Sequence, residues 1–315
     1  MARKKKEQTV AAVKSPVDKN QILAPSDELK GMAEAIVEMS QLNKFTDVVM
    51  TDIPVFETTY FDIADDGGKI LTMKPKTKAI QVGTSQISVS VTQEQVQEIN
   101  TKYGIDVKEM IKNVLVNEAA QALLKHYVTH IKNISNDNYV KEYTKLDKFK
   151  TIAYKLFKKE YSKKTKINNV RDLLNLIMRE SNKIAHKSKW GYGNFAICST
   201  KTAAALQSHT EYVMSKNTTT SANGMIYPIG NIGGITFYVD PYMLWNDNNI
   251  YIGRKSKHSE PGIKTFFKDC KITMQEKGLG APKLIMEMRY AVADIGESSK
   301  HMYRKIEYKD NPEKL

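Results

Sequence analysis

At 315 residues, with 41% hydrophobic and 26% charged side chains, the chain can bury a real core in one or two domains. No apolar run approaches the roughly 18 residues of a membrane-spanning helix, and the basic start MARKKKEQTVAAVKSP has no apolar stretch behind it, unlike a secretory signal. Two cysteines exclude a disulfide framework and fit a reducing setting, and 48 Lys+Arg against 35 Asp+Glu leave +13, an excess that attracts polyanions.

Residues 1 to about 25 are charged, contain Pro16 and Pro25 and lack periodicity, so an extended arm is expected. Ser26 can cap a helix that runs to about Leu42, with Leu29, Met32, Ile36 and Met39 on one face. From Phe45 to Val91 the period becomes two. PVFETTYFDI, a turn over Ala64–Gly68, and KILTMKP predict a hairpin; KAIQVG and SQISVSV predict a second one turning near Gly83 and Thr84. The first hairpin carries Val55, Phe56, Tyr60, Phe61, Ile63, Ile70, Leu71 and Met73 on both faces, with Gly67 at its tip. A two-stranded ribbon cannot cover both faces itself, so a neighbouring surface is required.

The stretch from Thr92 to Ile131 is the predicted spine. Thr92 with Gln95 forms a capping box, Gly104 interrupts, and Asp106 with Glu109 restarts the helix, with Ile105 and Met110 as a hydrophobic staple. Two apolar stripes follow: Ile111, Leu115, Ala119 and Ala122, then Val116, Ala120, Leu124 and Tyr127. A surface helix needs only one stripe, so two predict a helix contacted on two sides; an ordinary core helix is the plainer reading. From Lys141 to Lys166, ten lysines stand against Glu142, Asp147 and Glu160, over a helical stripe of Phe149, Ile152, Ala153, Leu156 and Phe157. A solvated helix face is the ordinary reading and phosphate contact the functional one.

Asn168 or Asn169 can cap the next helix, with Leu173, Leu174, Ile177 and Ile184 inward, and Gly191 and Gly193 end it. NFAICS is a buried strand, Thr200 is placed to cap KTAAALQSH, and residues 216–227 form a polar loop. NIGGITFYVDPYM, NNIYIG, GIKTFFKDCKITMQ and APKLIMEMRYAVADIG are strands, the last alternating Leu284, Met286, Met288 and Tyr290; the charged tail after Glu297 is expected to be peripheral. The order is α+β without steady βαβ alternation.

No catalytic, cofactor or metal constellation emerges. His126 and His130 have a spacing that can share a metal, but the Glu of HExxH is absent. The glycines at 230, 233 and 234 match neither GxGxxG nor a phosphate loop, and Cys198 lies in an apolar strand.

YGIDVKEMIKNVLVNEAAQALLKHYVTHI resembles the long helix of the major head proteins of T-even-like tailed phages. LLNLIMRESNKIAHKSKWGYGNFAICSTKTAAAL, NIGGITFYVDPY, IYIGRKSKHSEPGIKTFFKD and PKLIMEMRYAVADIG resemble the segments that follow there, in the same order, over roughly Val89 to Glu297. The chain is shorter than a T-even head protein and lacks its inserted domain, and before Val91 only the general character matches. The resemblance implies a Hong Kong 97-like capsid fold: an N-terminal arm and helix (1–44), an extended hairpin loop (45–91), a peripheral domain with the spine (92–168 and 262–297), an axial domain (169–261) and a tail (298–315). It implies a structural, non-enzymatic protein that self-assembles into hexamers and pentamers of an icosahedral head around double-stranded DNA. Assembly in the host cytoplasm is expected, with scaffold, portal and decoration proteins as further partners and no membrane. Phe56, Tyr60, Phe61, Gly67, Leu71 and Met73 would then make inter-subunit contacts. Ile111, Leu115, Leu124 and Tyr127 would form the spine core. Arg3, Lys4, Lys5, Lys6, Lys155, Lys158, Lys159, Lys163, Lys164 and Lys166 would face the interior and the genome. A vertex paralogue or an encapsulin-like shell protein is the alternative within the fold. A sequence-independent basic DNA-binding protein is the alternative outside it.

Overall fold

The computed structural model describes residues 20–22, 26–51, 55–65, 71–90, 98, 101–102, 104, 107–157, 165–167, 170–208, 213–214, 225–257, 259–275 and 283–310. The expected arm before residue 20, the capping box at Thr92, the restart at Asp106, the caps at Asn168 and Asn169 and the hairpin tip at Gly67 lie outside these residues, as does most of the polar loop at 216–227.

One helix, α2 (Val107–Phe157), runs 51 residues, about 76 Å at the usual helical rise. The expected spine ended near Ile131; the helix instead continues through the basic stretch. No glycine or proline occurs between Val107 and Phe157, so nothing in the backbone stops it. The weak helix formers around Asn133–Asn138 are held by tertiary contacts: Ser135 is fully buried, and the Asn138 amide donates to the carbonyls of Tyr303, at 2.8 Å, and of Lys300. In both apolar stripes every residue is buried except half-buried Ala122, and Leu123, Val128 and Ile131 join them. Met110, the expected staple residue, is exposed.

Two sheets meet this helix. Helix α1 (Ser26–Met39) buries Ala33, Ile36 and Val37 in the common core and leads through a short 3-10 turn, Leu42–Lys44, into β2 (Asp47–Met50). Its sheet is ordered β1 (Asn20–Ile22), β12 (Gly262–Gln275), β13 (Lys283–Ile295) and β5 (Gly83–Ser90), with β2 parallel on β12. β12 and β13 pair from Gly262↔Ile295 to Gln275↔Lys283 with an irregularity at Lys268. Leu284, Met286 and Met288 of β13 alternate inward, and Tyr290 packs beside them.

The second expected hairpin does not form. KAIQ completes β4 (Leu71–Gln81), which pairs with β3 (Val55–Asp65), while β5 pairs with β13 from Gly83↔Tyr290 to Ser90↔Lys283. The physical reason is burial: β5 alternates, and Ile87 and Val89 pack on the core beneath α2, a wall that a free second hairpin would lack.

The other sheet has seven strands, ordered β6 (Thr165–Ile167), β14 (Tyr303–Asp310), β11 (Asn249–Gly253), β7 (Phe195–Cys198), β10 (Ile235–Val239), β9 (Tyr227–Ile232) and β8 (Val213–Met214). Helix α3 (Val170–Ser188) packs on it with Leu173, Leu174, Ile177 and Ile184 inward, and α4 (Thr200–Gln207) follows β7. Ser199, not Thr200, is the N-cap of α4; its hydroxyl accepts the Thr202 amide at 3.5 Å.

The tail is not peripheral: β14 lies between β6 and β11, and Tyr303, Ile306 and Tyr308 are buried. Its charges had hidden an alternating strand. Lys305 and Glu307 are only half-buried, while Arg304 Nε donates to Glu180 Oε2 of α3 at 2.6 Å, both side chains being buried. The Tyr303 hydroxyl accepts the Ile263 amide at 3.0 Å, tying this sheet to β12.

Because both stripes of α2 are buried, truncation on either should leave a cavity. Leu115→Ala and Leu124→Ala should each lower the unfolding free energy by about 2–5 kcal/mol in denaturant titrations. Two variants within a few tenths of a kcal/mol of the parent would contradict a helix closed on both sides.

Candidate functional site

The hairpin is an eleven-pair ribbon, Val55↔Gln81 to Asp65↔Leu71. Its two rows of side chains face different surroundings. On the inner row Tyr60 and Ile80 are buried against Phe266 and Ile295, at the end of β12–β13. The Phe61 amide donates to the Ser259 carbonyl at 3.1 Å, and Lys78 Nζ to the Asp294 carbonyl at 2.5 Å. Gly296, at φ 84°, lets the ribbon approach: a Cβ there would meet Pro261 at 2.8 Å and the Tyr60 ring at 3.2 Å. Tyr60 is therefore a correction to the expected inter-subunit set. Alternation puts it on the face that its own chain covers.

The outer row differs: Val55, Thr59, Phe61, Pro75, Thr77 and Ala79 are all exposed, and none is charged. Of the other expected contact residues, Phe56 takes the register position opposite Ile80, Leu71 that opposite Asp65, and Met73 that opposite Ile63.

The two flanks of α2 are polar in different ways. On one, His126 Nδ1 lies 3.2 Å from the Tyr290 hydroxyl and His130 Nε2 lies 2.5 Å from Asp294 Oδ1. Each histidine has its own partner on β13, so they do not converge on a metal; among the described residues no cluster of three metal-ligating side chains occurs. Partial burial, then the neighbouring His130, pulls the His126 pKa down.

On the other flank Lys132 Nζ pairs with buried Asp240 Oδ2 at 2.7 Å, and the Tyr242 hydroxyl donates to Gln121 Oε1 at 2.9 Å. Lys125 Nζ stands 5.8 Å from the Tyr242 ring centroid. Leu124, Val128, Met225 and Ile226 share with these groups a cavity of about 190 Å³.

The loop that carries Tyr242 is tightly built. The amides of Tyr242 and Met243 donate to Asp240 Oδ1 and O, and those of Asp247 and Asn249 to Leu244 O and Asp247 Oδ1. It turns Met243 inward and leaves Tyr242, Leu244 and Trp245 at 59%, 80% and 62% exposure. From sequence NIGGITFYVDPYM reads as a strand, and residues 244–247 are not singled out. The signal that could have found this surface was the run of large apolar side chains in a turn.

The basic residues are placed only in part. Lys155 lies in α2 and Lys166 in β6; Arg3, Lys4, Lys5, Lys6, Lys158, Lys159, Lys163 and Lys164 fall outside the described residues.

A long helix shared by two sheets, with a projecting ribbon, defines the Hong Kong 97-like class of capsid shell proteins. A chain of Mycobacterium phage Adephagia has this fold, with a TM-score of 0.51 at 10% identity over 87% of this chain and 91% of that one. So does the virus-like particle from Pyrococcus furiosus, with a TM-score of 0.50 at 10% identity over 89% of this chain and 100% of that one. No curated protein sequence matches. The family model described as "Major capsid protein Gp23" matches residues 4–301, and the chain belongs to that family. The match takes in the N-terminal third, which had resembled the family only in general character. The protein is thus a major capsid protein, a virion component of a structural family that is not a class of enzymes.

Neither cysteine is a nucleophile. Both are buried, Cys198 in β7 and Cys270 in β12, and burial pushes each thiol up to about 12. The folded protein should therefore take up no maleimide at neutral pH over minutes and two equivalents in denaturant. Rapid labelling of either thiol in the folded protein would contradict this packing.

Proposed function

We propose that the chain forms hexamers and pentamers that close into an icosahedral head around double-stranded DNA. The observation that carries this reading is the outer row of the β3–β4 ribbon: its described side chains are uncharged, with Val55 and Phe61 exposed, on a ribbon that its own chain covers at Tyr60 and Ile80 of the other row. Such a surface is an aggregation hazard unless a partner covers it, and in a shell the abundant partner is the next copy. On this reading residues 45–91 are the extended loop, 92–168 and 262–297 the peripheral domain, and 169–261 the axial domain, with β14 belonging to the axial sheet.

Lys141–Lys166 and Arg3–Lys6 would face the genome. Their contacts would be with phosphates, sequence-blind and weakened by salt. Assembly would take place in the host cytoplasm, with scaffold, portal and decoration proteins as further partners. A vertex protein or an encapsulin-like shell is the second reading, which the likeness to the Pyrococcus furiosus particle favours over a dispersed DNA-binding protein.

Electron microscopy of the purified protein tests this. Shells or rings of five and six copies are expected, and dispersed monomers would contradict it. Phe61→Asp with Leu71→Asp should keep the parent's far-ultraviolet dichroism and melting transition but form no shells, because charges would enter a dry contact. Normal shells from that variant would show that the ribbon faces water in the assembly.

A further inference from the structure

The ribbon's outer row needs a counterpart, and the molecule presents one on the other flank of its spine. We propose that Tyr242, Leu244 and Trp245 form a knob that packs on the outer row of the β3–β4 ribbon of a second copy. The proposal rests on the shell reading above and names the surface that the ribbon would cross.

Three observations carry it. The first is exposure held by rigidity. Asp240 accepts the amides of Tyr242 and Met243 and is itself fixed by Lys132, so the loop holds Leu244 and Trp245 in water without freedom to fold them away. Large apolar and aromatic side chains held ready in this way are typical of residues that dominate interface energies, because little ordering cost remains on binding.

The second is placement. The knob sits on the α2 flank of Gln121, Lys125 and Lys132. The ribbon rests at the end of β13, by Asp294, on the His130 flank. One chain therefore holds knob and ribbon on different sides of the same helix. A contact between two different patches is head-to-tail, and a head-to-tail contact gives a ring where its rotation closes, as five- and six-membered capsomers require.

The third is chemical match. The side chains described in the outer row are uncharged and include exposed Val55 and Phe61, and register puts two acidic positions, 57 and 65, in the same row. Beside the knob stands exposed Lys125, over Tyr242. An apolar contact with opposite charge at its rim, Lys125 facing an acidic position such as 57, fits a surface that must choose its register as well as bind.

The experiment uses full-length protein that assembles. Leu244→Asp with Trp245→Asp should give a folded monomer, with the parent's dichroism and melting, and at least tenfold fewer shells by sedimentation. In a second arm Thr59→Cys, on the outer row, is combined with Asn246→Cys, beside the knob; both positions are exposed. Shells of this double variant treated with a short bismaleimide should give a ladder of covalent oligomers. Either single variant should stay monomeric on a denaturing gel, since the native thiols are buried.

Shells from the Asp variant at parental yield would overturn the proposal. So would double-cysteine shells that give no ladder, or dimers from one single variant, which would mean a two-fold contact. The cross-link arm decides even where the Asp variant does not fold. A parent that forms no shells would overturn the shell reading itself, whereas parental shells with no ladder overturn only the knob.

Discussion

Closure of α2 on two sides by its own chain is the constraint from which the rest of the molecule follows. At its middle Ala119 and Ala120 have no exposure, and the Tyr127 hydroxyl donates to the Phe45 carbonyl at 3.0 Å. Phe45 in turn touches the rings of Phe195 and Tyr238, with centroids 5.4 and 4.4 Å apart. A residue from the strand-rich N-terminal part, one from the spine and two from the seven-stranded sheet thus meet in one aromatic cluster. Tyr303, joined to the Ile263 amide, makes a second tie between the sheets. Neither sheet can shift along the spine without opening a packed, dry contact.

That closure decides where assembly can act. The apolar stripes of the spine are used up inside the monomer, so copies must meet through what is left outside. Two such features stand out among the described residues: the outer row of the ribbon and the loop around Leu244 and Trp245. Both are held by polar anchors and not by apolar burial alone. Lys78 and Phe61 fasten the ribbon to the Asp294 and Ser259 carbonyls, and Asp240 fastens the loop to Lys132. Contacts of this kind let an apolar surface face water in a monomer and still be in position when a neighbour arrives.

Much of this was legible in the residues. The two stripes of α2, the alternation of β13 and the first hairpin are local patterns, and period alone reveals them. The rest depended on contacts far apart in the chain. β5 has the alternation of a hairpin strand, and only the wall formed by Ile87, Val89 and the spine decides that it pairs with β13. β14 was masked by Arg304, Lys305 and Glu307, because nothing local tells a charged tail from a strand whose arginine meets a buried glutamate. The spine's length was underestimated because Ser135 and Asn138 are poor helix formers, the first held in place by burial and the second by tertiary hydrogen bonds. His126 and His130, whose spacing could share a metal though none was expected, are one face of a helix meeting Tyr290 and Asp294, which spacing alone cannot show.

Native-state hydrogen exchange on the monomeric chain tests the shared spine most directly. If both sheets hang on α2, amides of the helix from 111 to 131, of β12 and β13, and of β7 and β11 should all exchange through the same opening. Its free energy should equal that of global unfolding in denaturant. Exchange of one sheet through an opening well below that value, while the helix and the other sheet stay protected, would show that the sheets are separate units and contradict the account.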